Sequence, residues 1–184
     1  MKRSLVLLVA LSALTFGVQA ALAVSPHVKS GPSFTDNGLT LSATVSYAGL
    51  GNFNTQQVLT ATGNPTAVCT NPSGANKPPG QNPAAVTLTG ATNIPAANLK
   101  NGNVTIATTT EPPVSPIPGA PGCPGSNWTE TITDVAFTSA TIQLFQDANN
   151  DGIYQSSELV LTVNCTFSPA TANGPVPSSS VTCS

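Results

Sequence analysis

Leu39-Thr-Leu41-Ser-Ala43-Thr-Val45-Ser-Tyr47 alternates apolar and hydroxylated residues from end to end. Successive side chains of a strand point to opposite faces, so Leu39, Leu41, Ala43, Val45 and Tyr47 share one face and the hydroxyls the other. A segment of this kind is a half-buried antiparallel strand. Shorter stretches of similar character are Gln57 to Thr62, Ala67 to Thr70, Ala85 to Thr89, Val104 to Thr109, Thr131 to Phe137, Ala140 to Gln146 and Leu159 to Phe167. Asn, Gly and Pro clusters separate them. Many short strands with turn signals between them suggest a sandwich or a barrel. We expect an all-β protein: a single antiparallel β-sandwich, Ig-like, over residues 24–184, with long Pro/Gly-rich loops. One helical turn is predicted at Pro95-Ala-Ala-Asn-Leu-Lys100, ended by Asn101-Gly102.

The remaining segments fit around those strands. Asn71 to Pro83 and Glu111 to Gly125 are rich in Pro and Gly and read as long loops of one domain. Ser25 to Ser33 reads as a polar, mobile lead-in. Roughly 160 residues suffice for one core that buries about 70% of the unfolded surface.

Residues 1–23 read as a signal peptide. Lys2 and Arg3 precede an apolar run from Leu5 to Val18, and small residues follow, with cleavage expected after Ala23. No segment reaches the roughly 20 apolar residues of a spanning helix, so no membrane insertion is expected. The expected location is extracellular or periplasmic. Cys69, Cys123, Cys165 and Cys183 all follow the leader. In an oxidising compartment an even number favours two disulfides, and four cysteines allow three connectivities. Cys69 with Cys123 and Cys165 with Cys183 is the pairing that closes two compact regions. A zinc site would need close Cys spacing, which is absent.

Composition excludes whole classes of partner. Charged residues make up 7% of the chain and the net charge is −2, where a typical soluble domain is about 25% charged. After Arg3 the only cationic side chains besides His27 are Lys29, Lys77 and Lys100. Phosphate neutralisation and attraction to anionic lipid both need many more, so nucleic acid and anionic membrane surfaces are not expected partners.

The sharpest chemical pattern is Asp147-Ala-Asn149-Asn-Asp151-Gly152-Ile153-Tyr-Gln155-Ser-Ser-Glu158. It resembles the EF-hand calcium loop, D-x-[DN]-x-[DN]-G-x5-E, at every fixed position. The resemblance covers these residues only, since the flanks Ile142 to Gln146 and Leu159 to Val163 read as strands rather than helices. Calcium-binding loops without the helix pair are known among secreted bacterial proteins, and this hairpin looks like one. The resemblance implies calcium held by side-chain oxygens of Asp147, Asn149 and Asp151, the carbonyl of Ile153, Gln155 directly or through water, and both Glu158 oxygens. Gly152 would make the turn. Tyr154 departs from the aliphatic residue usual after the carbonyl ligand. The competing reading is a metal-free hairpin turn at Asn149-Asn-Asp151-Gly152. That reading leaves Asp147 and Glu158 unexplained in a chain so poor in acids. Tyr47-Ala-Gly-Leu-Gly-Asn52 and Cys69-Thr-Asn-Pro-Ser-Gly74 look like stretches of small exported bacterial proteins and assign no residue roles.

Parts for catalysis are scarce. His27 is the one histidine and falls in the lead-in. A carboxylate pair could be drawn from Glu111, Glu130 and Asp134, with Glu130 and Asp134 expected on one strand face, as exposed surface acids also would be. Trp128 opens a strand and reads as a core residue before a sugar-stacking one. We therefore expect no enzyme. The first reading is a structural or adhesive extracellular protein, stapled by disulfides and clipped by calcium, with uncharged sheet edges that favour self-association or a cell-surface partner. The second is a calcium-dependent carbohydrate- or ligand-binding module in which the metal and Trp128 or Tyr154 form the site.

Overall fold

The computed structural model describes residues 25–77, 84–114 and 123–184. The predicted signal peptide lies outside the described residues, as do parts of both Pro/Gly-rich loops. Among the described residues ten strands run in chain order: β1 His27–Asp36, β2 Leu41–Ala48, β3 Thr55–Thr70, β4 Asn76–Lys77, β5 Val86–Ile94, β6 Val104–Thr109, β7 Thr129–Gln146, β8 Leu159–Phe167, β9 Gly174–Pro175 and β10 Val181–Cys183. Among the described residues the only helical pieces are short 3₁₀ turns, one of them Ala96–Asn98 inside the predicted Pro95 to Lys100 segment. The fold is all-β and sandwich-like. A four-stranded antiparallel sheet has the order β6-β2-β1-β9, and a six-stranded one has the order β10-β8-β7-β3-β4 with β5 also on β3.

The expected alternation is met from Leu41 onward, while Leu39 lies before the strand and is only partly buried. Leu41, Ala43, Val45 and Tyr47 are all at or below 1% exposure, and the intervening hydroxyls lie on the outer face. They pack with Phe34 of β1, Ile106 of β6, Leu59 of β3, Ile142 and Leu144 of β7 and Phe167 of β8 in one core shared by both sheets. Phe34 and Phe167 meet edge-on at 5.0 Å across the sheets.

Two pairs of predicted short strands are single long ones. Gln57 to Thr62 and Ala67 to Thr70 belong to the 16-residue β3, and Thr131 to Phe137 and Ala140 to Gln146 to the 18-residue β7. Turn-like residues such as Gly63, Asn64 and Pro65 are absorbed because β3 and β7 pair along their whole length, with irregularities at Thr62/Gly63 and Thr66/Ala67. Bulges tolerate the extra residue without ending the ladder.

The lead-in is corrected: most of Ser25 to Ser33 is β1, paired with β2 from His27↔Ala48 to Asp36↔Leu41. Gly31-Pro32 sits in the register shift between Ser30 and Ser33. At a bulge the missing proline N–H breaks no ladder bond.

Both expected disulfides are present, Cys69–Cys123 and Cys165–Cys183. They mark an oxidising compartment. Among the described residues no helix is long and apolar enough to cross a membrane.

Candidate metal centre

The Asp147–Glu158 loop joins β7 to β8 at the end of the molecule where β3 begins. It is anchored there by one backbone and one side-chain donor: the Asp147 N–H donates to the Asn54 carbonyl at 2.9 Å, and Gln146 Nε2 donates to the Leu50 carbonyl at 2.6 Å. No sequence pattern assigns a role to Asn54 or Leu50. Their contribution is backbone carbonyls, which carry no side-chain signature.

Within the loop the acids fold the chain around themselves. Asp147 is 2% exposed, and its Oδ1 and Oδ2 accept the N–H groups of Asp151 at 3.0 Å and Gly152 at 3.1 Å. Glu158 is 8% exposed, and its Oε1 accepts from the Ala148 N–H at 3.0 Å and its Oε2 from the Gln155 N–H at 3.1 Å. The two carboxylates thus draw in amides from both ends of the loop. Asp151 Oδ1 accepts the Ile153 N–H at 2.8 Å, and its Oδ2 receives Asn149 Nδ2 at 3.0 Å and Gln155 Nε2 at 3.3 Å. Asn150 and Gly152 take positive φ, 58° and 78°, which makes the sharp turn that glycine is suited to.

All six predicted ligand residues therefore lie in one compact turn. Asp147, Asn149, Asp151, Gln155 and Glu158 are joined by hydrogen bonds, while the Ile153 side chain stands 62% exposed. Among the described residues no three carboxylate, imidazole or thiol groups converge as a closed ligand cluster. The acid oxygens face loop amides instead. Each carboxylate oxygen can accept more than one bond, so those amides leave acceptor capacity on Asp147 and Glu158. By donor type the loop suits a hard cation that prefers oxygen. Burial first, then the charges of Asp147 and Glu158, hold the Tyr154 phenol above its ordinary value.

Other expected site residues lie elsewhere. Trp128 precedes β7 near the Cys69–Cys123 bridge, half-buried, with Lys77 Nζ 6.0 Å from its ring centre. Thr70↔Thr129 and Thr55↔Gln146 are opposite ends of the β3–β7 pairing. A metal on the loop and Trp128 therefore cannot share one site, whereas Tyr154 belongs to the loop itself. The β7 residues Glu130 and Asp134, expected on one face, are separated by the irregularity opposite Thr66/Ala67. Each has a buried oxygen without a hydrogen-bond partner, Glu130 Oε1 and Asp134 Oδ1. His27 opens β1, with Nδ1 at 2.8 Å from the Ser25 carbonyl.

The loop has neighbours at its pole. The Leu50 N–H donates to the Gly102 carbonyl at 3.0 Å, and the Ala96 N–H donates to Asn54 Oδ1 at 3.0 Å. These bonds gather the β2–β3, β5–β6 and β7–β8 connections at one end of the sandwich. Comparisons of the chain with protein-family models, with curated proteins and with solved structures find no match.

Proposed function

We propose that this is an exported, non-enzymatic structural or adhesive β-protein whose β7–β8 hairpin is clipped by calcium. The ligands would be Asp147, Asn149, Asp151, the Ile153 carbonyl, Gln155 and Glu158, as in an EF-hand loop carried between strands. The observation that carries this reading is the burial of Asp147 and Glu158 at the two ends of one loop, 2% and 8% exposed. Buried carboxylates are costly unless compensated, and here only loop amides face them. A cation would supply the missing charge.

The two sheets support an Ig-like reading of the fold. The orders β6-β2-β1 and β5-β3-β7-β8 follow the E-B-A and C′-C-F-G arrangement of such sandwiches. The loop then occupies the F–G position. The departure is in the disulfides, since Cys165 and Cys183 join neighbouring strands of one sheet rather than bridging the two.

Calcium titration into the metal-stripped protein tests the clip. Affinity in the range of extracellular modules, about 0.1–1 mM, is expected. At ten times the dissociation constant, calcium should add about 1.4 kcal/mol of stability, a rise of about 3–6 °C in melting temperature. Asp147→Ala should abolish both. No heat of binding at millimolar calcium, or an unchanged response in Asp147→Ala, would sink the site.

A further inference from the structure

A cleft of about 320 Å³ opens on the outer face of the β6-β2-β1 sheet, at the same pole as the calcium loop. Lys29 and Lys100 both line it. They are two of the three lysines beyond the leader, and no carboxylate is among the lining residues. Both lysines are exposed, so the cleft offers cationic groups with no carboxylate beside them to neutralise an incoming anion.

The backbone position of each lysine is set by local structure. Lys29 is the extra residue of the β1 bulge, between the pairs Val28↔Tyr47 and Ser30↔Ser46. Bulges of this kind re-aim a side chain. Lys100 begins a tight turn closed by reciprocal Lys100–Asn103 backbone bonds of 3.0 and 3.1 Å, with Asn103 Nδ2 donating to the Asn101 carbonyl at 2.9 Å. Between the lysines runs one row of hydroxyls across three strands, Ser30, Ser46 and Thr105, with Ser46 Oγ 2.7 Å from Thr105 Oγ1. β1 and β6 flank β2, so the row is about 9–10 Å wide, two strand spacings. That is the scale of a sugar ring with its substituents. Asn103 adds a side-chain carbonyl able to accept from a ligand hydroxyl.

We propose that this cleft binds a unit of an acidic polysaccharide. The sugar's carboxylate or sulfate would sit against Lys29 and Lys100, and its hydroxyls against Ser30, Ser46, Thr105 and Asn103. Two lysines match one or two anionic groups, far fewer than a duplex backbone presents. The site needs no calcium. It gives the adhesive reading a ligand class and rests on that reading only in that the protein meets polysaccharide outside the cell.

The test is calorimetry of the full chain with a uronic-acid oligosaccharide at low salt and in chelator, beside its methyl-esterified counterpart and inorganic sulfate. Lys29→Gln and Lys100→Gln should each weaken binding roughly fivefold, the upper range for an exposed charge pair. Lys77→Gln, at the opposite pole, should leave it unchanged, and the melting temperature should not move in any of the three. The neutral ester should not bind, and equimolar sulfate should not compete. Absent binding of the acidic oligomer, binding unchanged in the double variant, or full competition by sulfate would each overturn the proposal. Such a failure alongside intact Asp147-dependent calcium stabilisation would leave the calcium-clip reading standing.

Discussion

Gln57 is fully buried at an inward position of β3, where alternation calls for an apolar side chain. It is satisfied across the sandwich: the Tyr47 hydroxyl donates to its Oε1 at 2.7 Å, and its Nε2 donates to Thr108 Oγ1 at 2.9 Å. One amide thus ties β3 to β2 and β6. Removing one partner of a buried bond costs more than the bond itself contributes, because the other is left unpaired. Tyr47→Phe should therefore destabilise the protein by about 1–3 kcal/mol, read as a lower urea midpoint with an unchanged slope. Equal midpoints would mean that the Gln57 carbonyl finds another donor. The same residue shows how far a sequence can be read at this scale. Tyr47 is legible as core from alternation, but its hydroxyl partner lies on a different strand of a different sheet. Asp36 is similar: it is 2% exposed and accepts from the Gly38 N–H and from Thr171 Oγ1, a contact between residues distant in the chain that no local pattern foretells.

Among the elements, β6 and β8 have the bounds expected from pattern alone, while β1, β9, β10 and β4, which lies inside the stretch expected to be a loop, are missing from that expectation. The reason is physical. β6 alternates throughout and β8 is an apolar-rich run with no Gly or Pro, but β1 contains Gly31-Pro32 and β4, β9 and β10 are only two, two and three residues long. Their strand character comes from a partner, such as Val181–Cys183 lying along Cys165–Phe167. Gly90 is another position set by tertiary structure, since a Cβ there would overlap the Thr109 carbonyl where β5 approaches β6. That residues Asp147 to Glu158 form one compact connection between strands is legible, because their spacing is local. The short β10 depends on its staple. Cys165 and Cys183 are 18 residues apart and Cys69 and Cys123 are 54 apart. Loop-closure entropy then predicts losses of about 3 and about 4 kcal/mol when each pair is replaced by serine. Denaturation of the two double variants should rank them in that order, and the reverse ranking would show that native strain outweighs chain entropy.

At the scale of the whole molecule, the sheets' outer faces are hydroxylated rather than charged. Thr182, Thr166, Ser139, Thr62 and Thr87 form one row across the larger sheet. With so few charges, stability should respond to pH through a small number of groups. Burial pushes the Tyr47 phenol well above its ordinary value of 10.0. The folded state therefore keeps a proton that the unfolded chain gives up, so this contribution is whole below pH 10 and declines as pH rises above it. Unfolding free energy should fall by up to about 1.4 kcal/mol per pH unit above that point, and Tyr47→Phe should flatten the slope. A profile equally steep in both proteins would assign the loss to another group.

The same shortage of charge governs assembly. β10 covers β8 only at Cys165 to Phe167, so the outer edge of Leu159 to Val163 lacks a paired strand among the described residues. Leu159 and Val160 are each 37% exposed beside it, and β8 carries no charge to deter pairing. Self-association through this edge would rest on backbone bonds and apolar contact, both insensitive to screening. Sedimentation velocity should then show the same degree of association at 50 mM and 500 mM salt, the range over which exposed charge pairs are lost. Thr162→Lys, which sets a cation on the edge strand, should lower it at both. Association that dissolves with salt, or persists unchanged in Thr162→Lys, would place the contact elsewhere.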